Sequence, residues 1–266
     1  MKYAAVVLDL DGTLLNSQKK ISERNRKAII DCYSKGMKII YATARPPRTV
    51  KYLLPDELYQ LGSFIYYNGA YVDCKFTETT LHFPIPENIS KEFLEYCSFG
   101  KPDCNLGVEV KDHWFSNKEV DYSAVTNVKE SPIVKTIQEL KQFEVTKFLV
   151  ADIPDFNAIL ERYSSKLNLI ITDNGKLLQV MSKEASKEQA VRMLCDKYEI
   201  SVEEIICFGD DHNDLGVFKV SGYSVAMGNA INELKEISHE VTGTNDEDGV
   251  GQVLERLVGV TQSYFG

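Results

Sequence analysis

The chain has 266 residues, 44% hydrophobic and 26% charged, which gives enough apolar side chain for a large core or two domains and excludes a disordered polymer. Its net charge of −9 excludes general attraction to nucleic-acid backbones, so an anionic substrate has to be drawn by a local cluster or a metal. Six scattered cysteines without a CxxC pair fit reduced thiols. No run reaches the roughly 20 apolar residues of a membrane span, and the amino-terminal run is broken by Asp9 and Asp11 without a cleavage site. The expectation is a soluble, cytoplasmic protein with no nucleic-acid or membrane partner.

In chain order, Ala4–Leu8 reads as a buried parallel strand that stops at Asp9-Leu10-Asp11-Gly12-Thr13. Ile21 and Ser22 look like a staple and N-cap for a helix carrying Ala28, Ile29, Cys32 and Tyr33 before Gly36. Met37–Ala42 predicts a second strand, ending in Thr43, Ala44 and Arg45, with Pro46 and Pro47 opening the next helix. Phe64–Tyr67 and Ala70–Val72 flank Asn68-Gly69, a strong hairpin signal.

From about Leu81 to Met181 the pattern changes. A helix near Ser90–Tyr96 and strands at Val108–Val110, His113–Phe115, Phe148–Val150, Leu169–Thr172 and Leu177–Val180 predict a separate α+β domain. The first style resumes at Ser186, an N-cap that places Lys187 at the first position of a helix carrying Ala190, Val191, Leu194 and Tyr198. Ile205–Phe208 is the next buried strand and ends in Gly209-Asp210-Asp211-His212-Asn213-Asp214. Tyr223–Ala226 is a strand, Asn229 is expected to cap a helix over Ala230–Ile237, and Gly249 precedes a last helix around Val250–Leu257. The fold class is therefore α/β: a Rossmann-like, doubly wound parallel sheet with an inserted α+β domain.

Chemistry in open α/β sheets gathers at the carboxyl ends of strands, where both acidic clusters fall. Asp9 and Asp11 converge across the turn at Gly12, and two like charges so close call for a cation. A hard, oxygen-preferring ion that is completed by substrate phosphate, Mg²⁺, suits them. Asp210 is the natural third ligand, Asn213 can give an amide N–H to a phosphate oxygen, and Asp214 can orient water or Lys187. Thr43 reads either as a phosphate-binding hydroxyl or as a plain cap. Lys187 opposes the helix dipole, which points either to a function or to an ordinary solvated lysine. His212 reads as an exposed loop residue.

Together, Asp9-Leu10-Asp11-Gly12-Thr13-Leu14, Thr43, Lys187 and Gly209–Asp214 resemble, in order and spacing, the four motifs of the haloacid dehalogenase-like hydrolases. The insert resembles a C2-type cap, and Tyr67–Ala70, Val225–Ala230 and Asn245–Gly249 are similar to the Cof-type branch. Ala44 stands where close relatives usually carry Gly, and Glu188 where Gly often follows the motif lysine. The resemblance implies a catalytic core over 1–81 and 187–266 and a substrate-selecting cap over 82–186. It implies Mg²⁺-dependent hydrolysis of small-molecule phosphate monoesters, sugar phosphates or similar metabolites, with a phosphomutase or a silent Mg²⁺-dependent sensor as alternatives. Asp9 would be the nucleophile that forms an aspartyl-phosphate, and Asp11 the general acid and then base. Mg²⁺ would be held by Asp9, Asp210 and the backbone carbonyl or side chain of Asp11. Leu10, Thr43, Ala44, Arg45, Lys187 and Asn213 would bind phosphate or substrate, with Asp214 behind them. The protein is expected to be a monomer or weak homodimer.

Overall fold

The computed structural model describes residues 2–100, 104–119 and 131–259. The chain divides into two compact units, Met1–Leu81 with Ser186–Gly266, and His82–Ala185. In chain order the strands are β1 (Ala5–Asp9), β2 (Lys38–Ala42), β3 (Gly62–Tyr66), β4 (Tyr71–Cys74) and β5 (Thr79–His82). The second unit supplies β6 (Asn105–Val110), β7 (His113–Ser116), β8 (Ile133–Val134), β9 (Lys147–Ala151), β10 (Leu167–Thr172) and β11 (Leu177–Ser182). The chain then returns with β12 (Ile205–Gly209), β13 (Tyr223–Ala226) and β14 (Glu240–Val241).

In the first unit the sheet order is β14-β13-β12-β1-β2-β3-β4-β5. It is parallel from β14 to β3 and turns antiparallel at β3–β4. Every residue of β1, β3 and β12 is buried, as expected for strands covered on both faces, which read as unbroken apolar runs rather than alternating ones. Register carries this to the site. Asp9 stands opposite Ala42, Leu8 opposite Phe208, and Gly209 opposite Ala226. Asp9, Thr43 and Asp210 therefore leave the sheet from one edge.

The helices follow the cap signals. Ser22 accepts from the Asn25 N–H to open helix Glu23–Ser34, and Ser186 accepts from the Gln189 N–H to open helix Lys187–Tyr198. Buried Asn25 in turn accepts from the Gly251 N–H at 2.7 Å, tying the first helix to the last, Gly249–Gly259. The hairpin at Asn68-Gly69 forms between β3 and β4 with Asn68 at φ 54° and Gly69 at φ 106°. A Cβ on Gly69 would lie 2.3 Å from the Ser186 carbonyl oxygen, so this glycine lets the hairpin press against the N-cap of helix Lys187–Tyr198.

The helix expected over Ala230–Ile237 starts instead at Asn232, with Ile231 at its N-cap. Asn229 is drawn elsewhere: its amide donates to the Gly12 carbonyl at 2.8 Å and its Oδ1 accepts from the Asn245 N–H at 3.0 Å. Strands β5, β8 and β14 and helices Asp56–Leu61, Ile137–Leu140 and Asn157–Tyr163 have no counterpart in the sequence reading. All are short, and too few residues repeat to show a period.

The second unit is α+β. Its sheet runs β10-β11-β9-β6-β7-β8, antiparallel except for the parallel β7–β8 pair. Leu106, Val108, Phe148, Val150, Leu178 and Val180 alternate onto one face and meet Phe93, Leu94 and Cys97 of helix Glu87–Gly100. Phe93 stacks on Phe148 with ring centroids 4.9 Å apart, a contact whose truncation to Ala costs about 3–5 kcal/mol.

Candidate active site

The site stands on the first unit alone, at the edge where β1, β2 and β12 end. Asp9 closes β1 and is 6% exposed, while Lys187 begins its helix at 2% exposure. The Lys187 ammonium donates to Asp9 Oδ1 at 2.6 Å and to Asp214 Oδ1 at 2.7 Å. This is a three-member buried ion cluster assembled from the ends of two strands and one helix. Burial alone would pull the lysine pKa down, but the charges of Asp214 and Asp9 outweigh it and hold the ammonium protonated. Asp9 moves the other way. Burial raises its carboxyl well above the ordinary range, Lys187 opposes this, and Asp214 and Asp210 add to it.

Asp210 follows β12. Its Oδ1 accepts from the buried Thr13 hydroxyl at 2.7 Å, yet burial, aided by the charge of Asp214, pushes it up to about 7. Asp214 braces the loop from below: its Oδ2 accepts the N–H groups of Asp210 at 3.0 Å and Asp211 at 3.3 Å. Two glycines make room. A Cβ on Gly12, at φ 80°, would fall 2.2 Å from Asp210 Oδ2, and one on Gly209 would fall 2.6 Å from the Asp214 carboxyl carbon.

Oxygen ligands from Asp9, Asp210 and Asp214 lie within 4.8 Å of one another. Three carboxylates share one ammonium, which leaves excess negative charge, and every donor is a hard oxygen. The residues therefore fit a divalent cation of the Mg²⁺ type. Lys187 bonds Asp9 and Asp214 but not Asp210.

The Asp11 carboxylate has other partners. Arg45 clasps it with Nε on Oδ2 at 2.5 Å and Nη2 on Oδ1 at 2.8 Å, and the Lys19 ammonium donates to Oδ1 at 2.7 Å. Burial alone would raise Asp11, but the bonds and charges of Arg45 and Lys19 together outweigh it and hold the carboxyl below the usual range. Among the carboxylate oxygens, those of Asp9, Asp210 and Asp214 are close together, and the Asp11 side chain is not in that set.

Thr43 is 1% exposed; its Oγ accepts from the Arg45 N–H at 3.1 Å, and its carbonyl accepts from the Asn68 N–H at 2.9 Å. Asn213 donates to Asn68 Oδ1 at 3.0 Å, so the hairpin tip joins the loops after β2 and β12. Leu10 is fully buried under the turn, with its carbonyl accepting from the Leu15 N–H at 2.8 Å. Ala44 precedes Arg45 on the loop after β2. Exposed His212 stands 3.5 Å from Glu233, away from the acidic group. Two participants lay outside the sequence reading of the site. Thr13 as the partner of Asp210 was visible only as part of a motif, and Lys19 gave no signal at all.

A family model described as haloacid dehalogenase-like hydrolase matches residues 6–254. The chain belongs to the haloacid dehalogenase-like hydrolases. Within that family it is 30% identical to a putative phosphatase, YxeH, of Bacillus subtilis (strain 168), over 96% of this chain and 98% of that one. It is 26% identical to the 5-amino-6-(5-phospho-D-ribitylamino)uracil phosphatase YitU of the same organism, over 94% and 96% of the two chains. Among solved structures, TM0651 from Thermotoga maritima superposes with a TM-score of 0.86 at 30% identity, covering 96% of this chain and 97% of that one. This haloacid dehalogenase-like hydrolase is thus an enzyme of the phosphatase type. Among its described residues no helix is long and apolar enough to cross a membrane.

Proposed function

We propose that the chain is a Mg²⁺-dependent phosphatase that hydrolyses small-molecule phosphate monoesters, sugar phosphates or similar metabolites, through an aspartyl-phosphate on Asp9. The observation that carries this reading is the buried cluster in which Asp9 meets Lys187 at 2.6 Å beside Asp210 and Asp214. Neither a helix cap nor a solvated turn accounts for three carboxylates and an ammonium at the ends of two parallel strands.

Asp9 attacks phosphorus while the ester P–O bond breaks, and Asp11, which first takes up a proton from solvent as Arg45 and Lys19 release its carboxylate, passes that proton to the departing alkoxide. Water then attacks the same phosphorus, Asp11 takes a proton back, and the bond to Asp9 breaks to release inorganic phosphate. Bound by Asp9, Asp210 and the Asp11 backbone carbonyl, Mg²⁺ would supply positive charge that screens the carboxylate from the anionic ester. Lys187 counters negative charge on Asp9 and, with the Thr43 hydroxyl, the backbone N–H groups of Leu10 and Ala44, and the Asn213 amide, stabilises the charge that builds on the transferring group. Preorganised donors of this kind are worth roughly 2.7–4 kcal/mol each. Arg45 is shared between Asp11 and the substrate. Asp214 acts behind the site by holding Lys187 and the Asp210–Asp211 backbone.

In this reading 1–81 and 187–266 form the catalytic core, and 82–186 form a cap domain that selects the leaving group. The named activity of the phospho-ribitylamino relative supports a polyhydroxylated phosphate ester as substrate. A cytoplasmic monomer or weak homodimer completes the proposal. The test is phosphate release from a panel of metabolite esters with Mg²⁺ and with excess chelator. Metal-dependent release that disappears in Asp9→Asn, with unchanged circular dichroism, is the expected result. Retained turnover in that variant rejects the assignment, and an isomerised sugar phosphate without free phosphate would identify a mutase.

A further inference from the structure

We propose that Asn68, at the tip of the hairpin between β3 and β4, is a positioning residue that sets which end of the Asn213 amide serves the transferring phosphoryl group. The inference rests on the reading of Asn213 as a phosphate-binding donor given above. A side-chain amide is ambiguous until something orients it, because its two ends have nearly the same shape but one donates and the other accepts. Presented nitrogen first, the amide stabilises a phosphate oxygen. Turned over, it sets an oxygen lone pair against that anion.

Asn68 Oδ1 accepts from Asn213 Nδ2 at 3.0 Å, and among the described residues Asn68 is the hydrogen-bond partner of that amide. Because Asn68 presents its oxygen, only the nitrogen end of Asn213 can satisfy it. That nitrogen carries two hydrogens. Asn68 takes one, and the other is left for a phosphate oxygen.

The backbone of the tip is arranged for this bond. Strand pairing ends at Tyr66 opposite Tyr71, which leaves Tyr67–Ala70 as the loop. Hairpin loops of that length are commonly built around a type I turn, whose central residues have negative φ. Here Tyr67 and Asn68 stand at φ 52° and 54°, and both are buried. A bulky side chain in the left-handed region is strained and persists only where its surroundings fix it. The Asn68 N–H donates to the Thr43 carbonyl at 2.9 Å, the Tyr67 N–H to the Arg45 carbonyl at 3.3 Å, and the Ala70 N–H to the Tyr67 carbonyl at 3.2 Å. Gly69 lies against Ser186, the N-cap before Lys187. The tip is thus fastened to the loop after β2 and to the start of the Lys187 helix, and from that footing Asn68 reaches the loop after β12. A turn that served only to reverse the chain would need none of these bonds.

The experiment is a double-mutant cycle in kcat/KM for p-nitrophenyl phosphate with Mg²⁺. Asn68→Gly deletes the acceptor yet accepts the left-handed backbone without strain, and Asn213→Ala deletes the amide. Asn213→Ala should lose about a hundredfold and Asn68→Gly about tenfold, a fraction of the ~10²–10³ that one preorganised donor supplies. The double variant should match Asn213→Ala within about twofold, because with the amide gone Asn68 has nothing to orient. A loss from Asn68→Gly that persists undiminished in the Asn213→Ala background would overturn the proposal in favour of a general structural role for the hairpin, as would a collapse of the Asn68→Gly urea midpoint. No loss in Asn68→Gly, or none in Asn213→Ala, would overturn it too and leave the phosphatase reading standing. Wild-type protein inactive on every phosphate ester would instead sink that reading, and this inference with it.

Discussion

Replacing Lys187 with Met removes the one cation in the buried cluster while keeping its length and apolar stem. Lys187 is 2% exposed and bonds Asp9 and Asp214 at 2.6 and 2.7 Å, so the variant leaves two carboxylates facing each other in a dry site. Removing one partner of a buried pair costs about 3–5 kcal/mol. With a urea slope of about 2 kcal/mol/M, the unfolding midpoint should fall by roughly 1.5–2.5 M in metal-free buffer near pH 8. The pH dependence has a definite sign. Burial already raises Asp9, and the variant deletes the charge that opposes this, so its native state binds protons more readily than the unfolded chain. Stability tied to such a raised group is present at low pH and lost as pH rises, so the deficit should shrink between about pH 8 and pH 5. Urea titrations followed by far-ultraviolet circular dichroism measure this directly. A midpoint near wild type at the higher pH, or a deficit that grows on acidification, would refute the ion-cluster argument.

Three further outcomes are expected, two at the acidic cluster and one at His82. Gly12→Ala places a Cβ 2.2 Å from Asp210 Oδ2 at φ 80°; displacing that carboxylate by about an ångström should lower turnover on an aryl phosphate about hundredfold, and near-normal turnover would contradict the close approach. Thr13→Val deletes the 2.7 Å bond to Asp210 and should raise the Mg²⁺ concentration for half-maximal activity about 10–100-fold, which a metal titration checks. Burial and then the charge of Lys111 hold the His82 imidazole below its ordinary value, with Glu144 opposing, while the ring bonds the Thr146 hydroxyl at 2.8 Å. The native state therefore binds fewer protons at His82 than the unfolded chain. That contribution is complete above about pH 6.5 and is lost as pH falls through the lowered value; His82→Gln should flatten the acid limb of midpoint against pH, and identical limbs would refute it.

The parallel sheet was legible because its strands are short apolar runs ended abruptly by charge or glycine, and because Ser22 and Ser186 sit where a cap must. Ser186 also fixed where Lys187 falls, since an N-cap determines the next residue's place on the helix. Asn68-Gly69 announced its turn through two residues that tolerate positive φ. The direction of the Asp11 side chain was not legible. It depends on Lys19 and Arg45, which reach it through a left-handed turn and from the end of a neighbouring strand, and neither contact leaves a period in the sequence. Asn229 illustrates the same limit. Local preference made it a cap, but the open carbonyl of Gly12, 217 residues away, takes its amide instead. Long-range hydrogen bonds of this kind decide loops, whereas apolar periodicity decides strands and helices.

Turnover by the proposed route requires Asp9 to carry the phosphoryl group. The direct measurement is rapid-quench mass spectrometry of the peptide containing Asp9, taken within the first turnover of a phosphate ester in Mg²⁺. A transient gain of one phosphoryl group on Asp9, absent from Asp9→Asn, is the result expected. Full phosphate release with no label on that peptide, or with the label on another residue, would contradict it.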